Sequence, residues 1–335
     1  MALFLAMKGL SSMFDKKFFL TVFSLIILFI STLIFSGCKD TNQTSNKKSE
    51  SAYKVTDITG TTIAFKESPK RVVSLNCGVD EILLDLLPPE KIAALSARAD
   101  DPGICAAVDK AKTVEKRVQS RNVEAILALN PDLVVMPDWI GMDLVNGLRA
   151  VGVPVYVFKT PESLTDIQDT ILKIAEVVDA NKQGKELVST MQNKLERVRQ
   201  ITKQVPADKK QTLIPLSLMG SFGGKGTTFD DMCKYANVTN GVAAAGVAKK
   251  SAIAKEMIVK MDPDVFIIPT WDFEESGKAE NFIKEIKSDP ALSTVKAIKN
   301  DRLVKVHDAY LYAASQYAAN AVEEIAQAAY PDYFK

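Results

Sequence analysis

Two tryptophans, Trp139 and Trp271, stand 132 residues apart, each two places beyond a proline that stops an apolar run. An indole at such a position can stack on a ligand ring or plug an interface between two halves of a protein. The residues that follow each of the chain's apolar runs form a consistent set: Asn76 and Cys77, Arg98, Asp138 and Trp139, Phe222 and Lys225, Trp271 and Asp272, His307, Tyr310 and Tyr312. In open α/β sheets ligands sit outside the carboxyl ends of strands, so these residues are a candidate site. The set is aromatic and cationic, which suits a large ligand with ring surface and negative charge. His307 is the one histidine of the chain, which weighs against a multi-histidine metal site. Without an evident acid partner in the sequence it reads first as a packed or hydrogen-bonding side chain.

The elements that position these residues announce themselves by repetition. Glu124–Trp139 reads EAILALNPDLVVMPDW, and Glu256–Trp271 reads EMIVKMDPDVFIIPTW. Glu124 matches Glu256, Pro131 matches Pro263, Asp132 matches Asp264 and Pro137 matches Pro269. Each copy predicts a short amphipathic helix, an Asn/Asp-Pro-Asp turn and an apolar strand ended by proline. A continuous apolar strand fits a parallel sheet covered by helices on both faces. Two copies this far apart predict two similar lobes rather than a solenoid.

The rest of the chain agrees with two lobes. Its 335 residues suffice for two domains with separate cores. A net charge of +1 gives no electrostatic case for nucleic acid. Lys16 and Lys17, the apolar run Phe18–Phe35 and Ser36-Gly37-Cys38 form a secretory signal over residues 1–37. The cysteine after Ser-Gly resembles the bacterial lipoprotein box, which implies lipidation of Cys38; an uncleaved membrane anchor is the alternative. Residues 38–52 lack any large apolar side chain and predict a flexible tether. Alternating strands and helices follow over 53–178, the N-terminal α/β lobe. A linking helix lies within 179–205, where Gly184–Thr202 with frayed ends makes about 20 residues and about 30 Å. The C-terminal α/β lobe occupies 206–335.

Two further features could carry chemistry. Gly220–Thr228, GSFGGKGTT, invites a phosphate-loop reading, but Gly226 follows Lys225 where a Walker loop has Ser or Thr. A Gly-rich turn at a helix start can still hold an anion through backbone N–H groups, and an exported α/β enzyme using this loop is the remote alternative. Beside Cys38, the cysteines are Cys77, Cys105 and Cys233. Cys77 and Cys105 both fall in first-lobe loops, leaving a disulfide and buried free thiols as alternatives.

Arg71-Val-Val-Ser-Leu75 with Glu81 six residues on, Asn130-Pro-Asp-Leu-Val-Val135, the linking helix, Gly226-Thr-Thr-Phe229, Glu256 before Asp262-Pro-Asp264 and the closing Tyr330-Pro-Asp occur in an informative order. In these the chain resembles the substrate-binding lipoproteins of ABC importers for iron–siderophores, haem and cobalamin. The resemblance implies an α/β fold of two parallel-sheet lobes joined by a long helix, a ligand cleft between them and little closure on binding. It also implies no enzymic activity, no resident cofactor or metal, an extracytoplasmic place on a lipid anchor, and delivery of ligand to a permease dimer. Cobalamin-binding members carry aromatic residues in the loop after the second strand and in the loop before the first repeated helix. Arg98 and Arg117–Val118 stand there in this chain. That departure favours an anionic chelate such as a ferric siderophore, since guanidinium groups bind carboxylate or catecholate oxygens bidentately. Cobalamin remains an alternative, as does haem with His307 or a tyrosine as axial ligand. The expected ligand-binding residues are Arg98, Arg117, Trp139, Phe222, Lys225, Trp271, His307, Tyr310 and Tyr312. The resemblance assigns permease docking to Glu124 and Glu256; the alternative is that each carboxylate merely caps its own helix.

Overall fold

A computed structural model describes residues 52–218, 223–247, 253–272 and 277–335. The expected signal segment, Cys38, Phe222 and the start of the Gly-rich loop lie outside the described residues. The strands are β1 (Tyr53–Thr56), β2 (Thr62–Phe65), β3 (Val72–Ser74), β4 (Ile92–Ser96), β5 (Arg117–Val118), β6 (Leu133–Pro137), β7 (Val155–Phe158), β8 (Thr212–Pro215), β9 (Thr239–Asn240), β10 (Val265–Ile268) and β11 (Leu303–Lys305). The main helices are α1 (Cys77–Leu86), α2 (Val123–Leu127), α3 (Met142–Ala150), α4 (Leu164–Val177), α5 (Asn181–Thr202), α6 (Thr228–Tyr235), α7 (Lys255–Met261), α8 (Lys278–Ser288) and α9 (Ala318–Ala329). β1 and β2 form the expected hairpin around Gly60 at φ +81°, where a left-handed turn suits glycine. Two parallel sheets follow, ordered β5-β4-β3-β6-β7 and β11-β10-β8-β9. The linking helix, α5, has 22 residues and lies between the two sheets in sequence.

The repeat builds the same joint twice. Asn130 at φ +50° and Asp262 at φ +46° hold the same left-handed position between helix and strand. Short polar side chains tolerate that region better than most residues. Two residues on, the Asp132 carboxylate accepts from the backbone N–H groups of Lys70 (2.7 Å) and Arg71 (2.9 Å), and Asp264 accepts from that of Thr212 (2.8 Å). Each aspartate thus fastens its own strand to the start of the adjacent one, β6 to β3 and β10 to β8. Arg71 completes the first joint by donating to the carbonyls of Asn130 (2.7 Å) and Leu129 (2.6 Å), in the turn that follows α2. Hydrogen bonds to a charged group contribute about 1.5–3 kcal/mol each when shielded, and less here because the joint is partly solvated. Asp132→Ala should therefore destabilise the protein by about 1–3 kcal/mol, and Asp264→Ala, which loses one such bond, by less. Urea unfolding midpoints at constant slope check both values.

Along each central strand, alternate residues enter different cores. Val72, Leu133 and Val135 of the first sheet share one cluster with Leu213, Val265 and Ile267 of the second, through α1, α4, α5, α6 and α9. Val73, Val134 and Met136 face a second cluster, and Ile214, Phe266 and Ile268 a third. The expectation of separate cores is corrected here: each sheet has one private core, and both share the central one. The reason lies in the helices, since α5 packs along both α4 and α9 and buries Val188, Met191, Leu195 and Val198 between the halves.

Candidate ligand-binding cleft

A cavity of about 400 Å³ opens at the carboxyl ends of β3, β4, β5 and β6. Leu75, Asn76 and Cys77 line it after β3, Ser96, Ala97 and Arg98 around the end of β4, Gln119 and Arg121 after β5, and Trp139 after β6. Tyr312, Ala313 and Ala314 form the facing wall from the second half. That segment approaches α1 closely: a Cβ on Gly78 would lie 3.2 Å from both Cβ and O of Ala314. Asn76 caps α1 by accepting from the N–H groups of Gly78 (2.9 Å) and Val79 (3.4 Å), so the helix start meets the cavity already capped.

Behind the cap sit two adjacent buried acids. Asp80 is 0% exposed and accepts from Ser96 N (3.0 Å) and Ser96 Oγ (2.5 Å). Burial still pushes its carboxyl up to about 6. Glu81, 1% exposed and touching the cavity, accepts from Ala106 N (2.6 Å) and pairs with the hydroxyl of Ser315. Burial pushes it up to about 8, against those hydrogen bonds and helped by the neighbouring charges of Asp80 and Asp85. Near neutral pH the wall therefore presents a protonated carboxyl, not a carboxylate. Gln316 donates to the Glu81 carbonyl (2.9 Å) and to Asp85 (2.8 Å), so the 315–316 segment is tied to α1 by side chain and backbone alike.

The positive charge of the cleft comes from two guanidinium groups lying over indoles. Arg121 is 5.1 Å from the Trp139 ring centroid and donates to the Leu75 carbonyl (3.2 Å). Arg98 is 5.6 Å from the Trp271 ring and 3.6 Å from Asp101. The two tryptophans differ in setting: Trp139 is 54% exposed, whereas Trp271 is 9% exposed. The Trp271 indole donates to Asp101 (3.1 Å) and packs on Gly103, and its backbone N–H donates to Asp308 (2.7 Å). Tyr312 meets Ser217 at 2.9 Å, and burial raises its phenol to about 12.

Of the residues expected at the site, Arg98, Trp139 and Tyr312 come together around this cavity. Arg117 is directed elsewhere: it chelates Asp100 (2.8 and 2.6 Å) and donates to the carbonyls of Val114 (2.7 Å), Lys116 (3.0 Å) and Ala111 (2.9 Å). Its place in the cleft is taken by Arg121. His307 and Tyr310 line a separate groove with Lys110 and Tyr317. The acid partner of His307 is Glu324, seventeen residues later, which meets Nδ1 at 2.7 Å and the backbone N–H at 2.8 Å. Lys225 is exposed on the Gly-rich loop and does not line the cavity. That loop's helix is capped from within, Thr227 accepting from Asp230 N (3.3 Å), and Asp230 and Asp231 put two carboxylates in its first turn. A phosphate at that end would meet like charge. Cys77, Cys105 and Cys233 are free thiols, and burial pushes the Cys77 thiol up to about 12. Glu124 and Glu256 are exposed on α2 and α7, and neither carboxylate has a hydrogen-bond partner among the described residues; Asn122, not Glu124, caps α2 by accepting from Ala125 N (2.8 Å).

The chain matches the family of periplasmic binding proteins over residues 72–310 and belongs to that family. It is a substrate-binding protein of the kind that serves ABC importers. It is 25% identical over 320 residues to an ABC transporter substrate-binding lipoprotein of Bacillus subtilis, covering 92% of this chain and 96% of that one. A cobalamin-binding protein of Halobacterium salinarum is 26% identical over 216 residues, covering 63% of this chain and 57% of that one. Among solved structures, the periplasmic haem-binding protein of Roseiflexus sp. RS-1 superposes with a TM-score of 0.67 at 23% identity, over 79% of this chain and 99% of that one.

Proposed function

We propose that this protein is a lipid-anchored, extracytoplasmic receptor that captures an anionic metal chelate, a ferric siderophore before others, and delivers it to an ABC importer permease. The observation that carries the ligand class is the Arg121–Trp139 pair at the cavity, where a guanidinium group lies over an exposed indole. With Arg98 on the other flank and Glu81 held protonated, the wall is cationic and aromatic. Such a wall matches a ring-bearing ligand whose catecholate or carboxylate oxygens carry negative charge.

The names of the relatives keep cobalamin and haem as alternatives for this chain. Haem would lack two of the expected axial ligands, His307 and Tyr310, which belong to a different groove, and the third, Tyr312, is engaged with Ser217. Cobalamin offers a single phosphodiester as its anionic group, a poorer match to this guanidinium-bearing wall than a chelate with several anionic oxygens.

Equilibrium titration separates these ligands. A ferric tris-catecholate should bind tightly and cobalamin weakly. Removing one partner of a buried charge pair typically costs about 2–5 kcal/mol. Arg121→Ala should therefore weaken the chelate by tens- to thousands-fold, while Arg117→Ala acts on stability and leaves affinity near that of the parent. Tight cobalamin binding with no affinity for the chelate would reverse the assignment.

The docking partners belong to the same proposal. Glu124 and Glu256 sit at equivalent places on the two repeated units, where a two-fold permease can meet both with matched basic residues. Their exposure, and the capping of α2 by Asn122, support a role outside the helix they sit on.

A further inference from the structure

Trp139 and Trp271 occupy equivalent positions of the repeat and each carries an arginine over its ring, yet one indole is open and the other is enclosed. The enclosure is specific. A Cβ placed on Gly103 would fall 1.8 Å from Cδ1 of Trp271, so the first-half loop has a glycine where the indole from the second half must pass. The ring nitrogen is bonded to Asp101 two residues earlier (3.1 Å), and Asp101 Oδ1 in turn accepts from Gly103 N (2.9 Å), which shapes the loop around the ring. At the other end of the side chain, Asp308 fixes the backbone by accepting from Thr270 N and Trp271 N, both at 2.7 Å. The same loop borders the cavity through its neighbours Arg98 and Ile104. Withdrawal of the indole would therefore free the space of one aromatic ring system beside the loop that borders the cavity.

We propose that Trp271 is a size-selecting plug: it closes one end of the cleft and restricts the site to compact chelates, while its repeat counterpart Trp139 serves as the ligand platform. This rests on the ligand reading above, but its first test needs no ligand. The chain has only two tryptophans, so Trp139→Phe leaves Trp271 as the sole indole and Trp271→Phe leaves Trp139. Acrylamide should quench the lone Trp271 several-fold less than the lone Trp139. Adding Gly103→Ala to the Trp139→Phe protein should expel the indole and raise its quenching to near the Trp139 level. Equal quenching of the two lone tryptophans, or no effect of Gly103→Ala, would overturn the plug.

The second test reads selectivity with ferric tris-catecholate and cobalamin as small and large probes. Trp271→Ala, or Trp271→Leu if alanine unfolds the protein, should raise affinity for the large probe at least tenfold relative to the small one. Trp139→Ala should weaken the small chelate about tenfold or more. If the Trp271 variant weakens the small chelate as Trp139→Ala does, or binds neither probe, or leaves the ratio unchanged, Trp271 is not a size filter. A parent protein that binds no chelate, with a Trp271 variant that gains the large probe, would refute the ligand class and leave the plug standing.

Discussion

Replacing Glu124 and Glu256 together with alanine should reduce ligand uptake at least tenfold while ligand affinity stays within about twofold. Both carboxylates are exposed, and the cavity wall includes neither. Exposed rim charges act mainly on association rate and its salt dependence, with individual costs near 1 kcal/mol. On the proposed docking role, the large effect would come from losing two charges that engage one symmetric partner at once, since the second contact forms at high effective concentration only when the first is made. Each single variant should accordingly retain intermediate uptake, and raising salt should mimic the double variant. Transport assays in cells, paired with titrations on purified receptor, separate docking from binding. Normal uptake by the double variant at physiological salt would end the docking role.

A loss of stability as pH rises is the second large effect. Glu81 titrates near 4.3 in an unfolded chain but at about 8 when folded. Between those values the folded state holds a proton that the unfolded state has released. The stabilisation is therefore fully present below the unfolded value and is lost as pH rises to about 8. Asp80, pushed up to about 6, adds a loss of the same sign that is complete at lower pH. One proton held by the folded state alone costs about 1.4 kcal/mol for each pH unit climbed, so the decline from pH 5 to pH 8.5 should reach a few kcal/mol. Glu81→Gln removes the titration and keeps an oxygen for Ala106 N. It should flatten the curve above pH 6 and be the more stable protein at pH 8.5. Denaturant unfolding across that range measures both slopes, and an unchanged slope in Glu81→Gln would refute the assignment.

The repeat carries most of what is legible without the structure. A local pattern of apolar positions with Asn/Asp-Pro-Asp turns is enough to place β6 and β10, and the family motifs around it have structural reasons: Arg71 holds the turn that follows α2, Thr227 caps α6 and Tyr330 donates to the Asn237 carbonyl (2.6 Å). Strand ends then lead to Arg98, Trp139 and Tyr312. Arg117 escapes that logic because a guanidinium goes wherever the tertiary fold supplies acceptors, and Asp100 is nearer than the cleft. His307 is held by Glu324 and lines another groove for the same reason. Arg121 is invisible as a cleft residue because β5 is two residues long, too short to leave a periodic signal. The α8 helix is hidden in a lysine-rich stretch whose Phe282, Ile283 and Ile286 are only partly buried.

The shared central core bears on how a permease could distinguish a loaded receptor from an empty one. Because α1, α4, α5, α6 and α9 form one packed body with both sheets, swinging the halves apart would mean breaking close-packed contacts. Occupancy would then be signalled without a wide change of shape, and the two faces carrying Glu124 and Glu256 would keep nearly the same spacing in either state. On the proposed docking role, empty copies would compete for the same place. The importer's economy then depends on how many receptors surround each permease and what fraction are filled, a property of the population rather than of any single molecule.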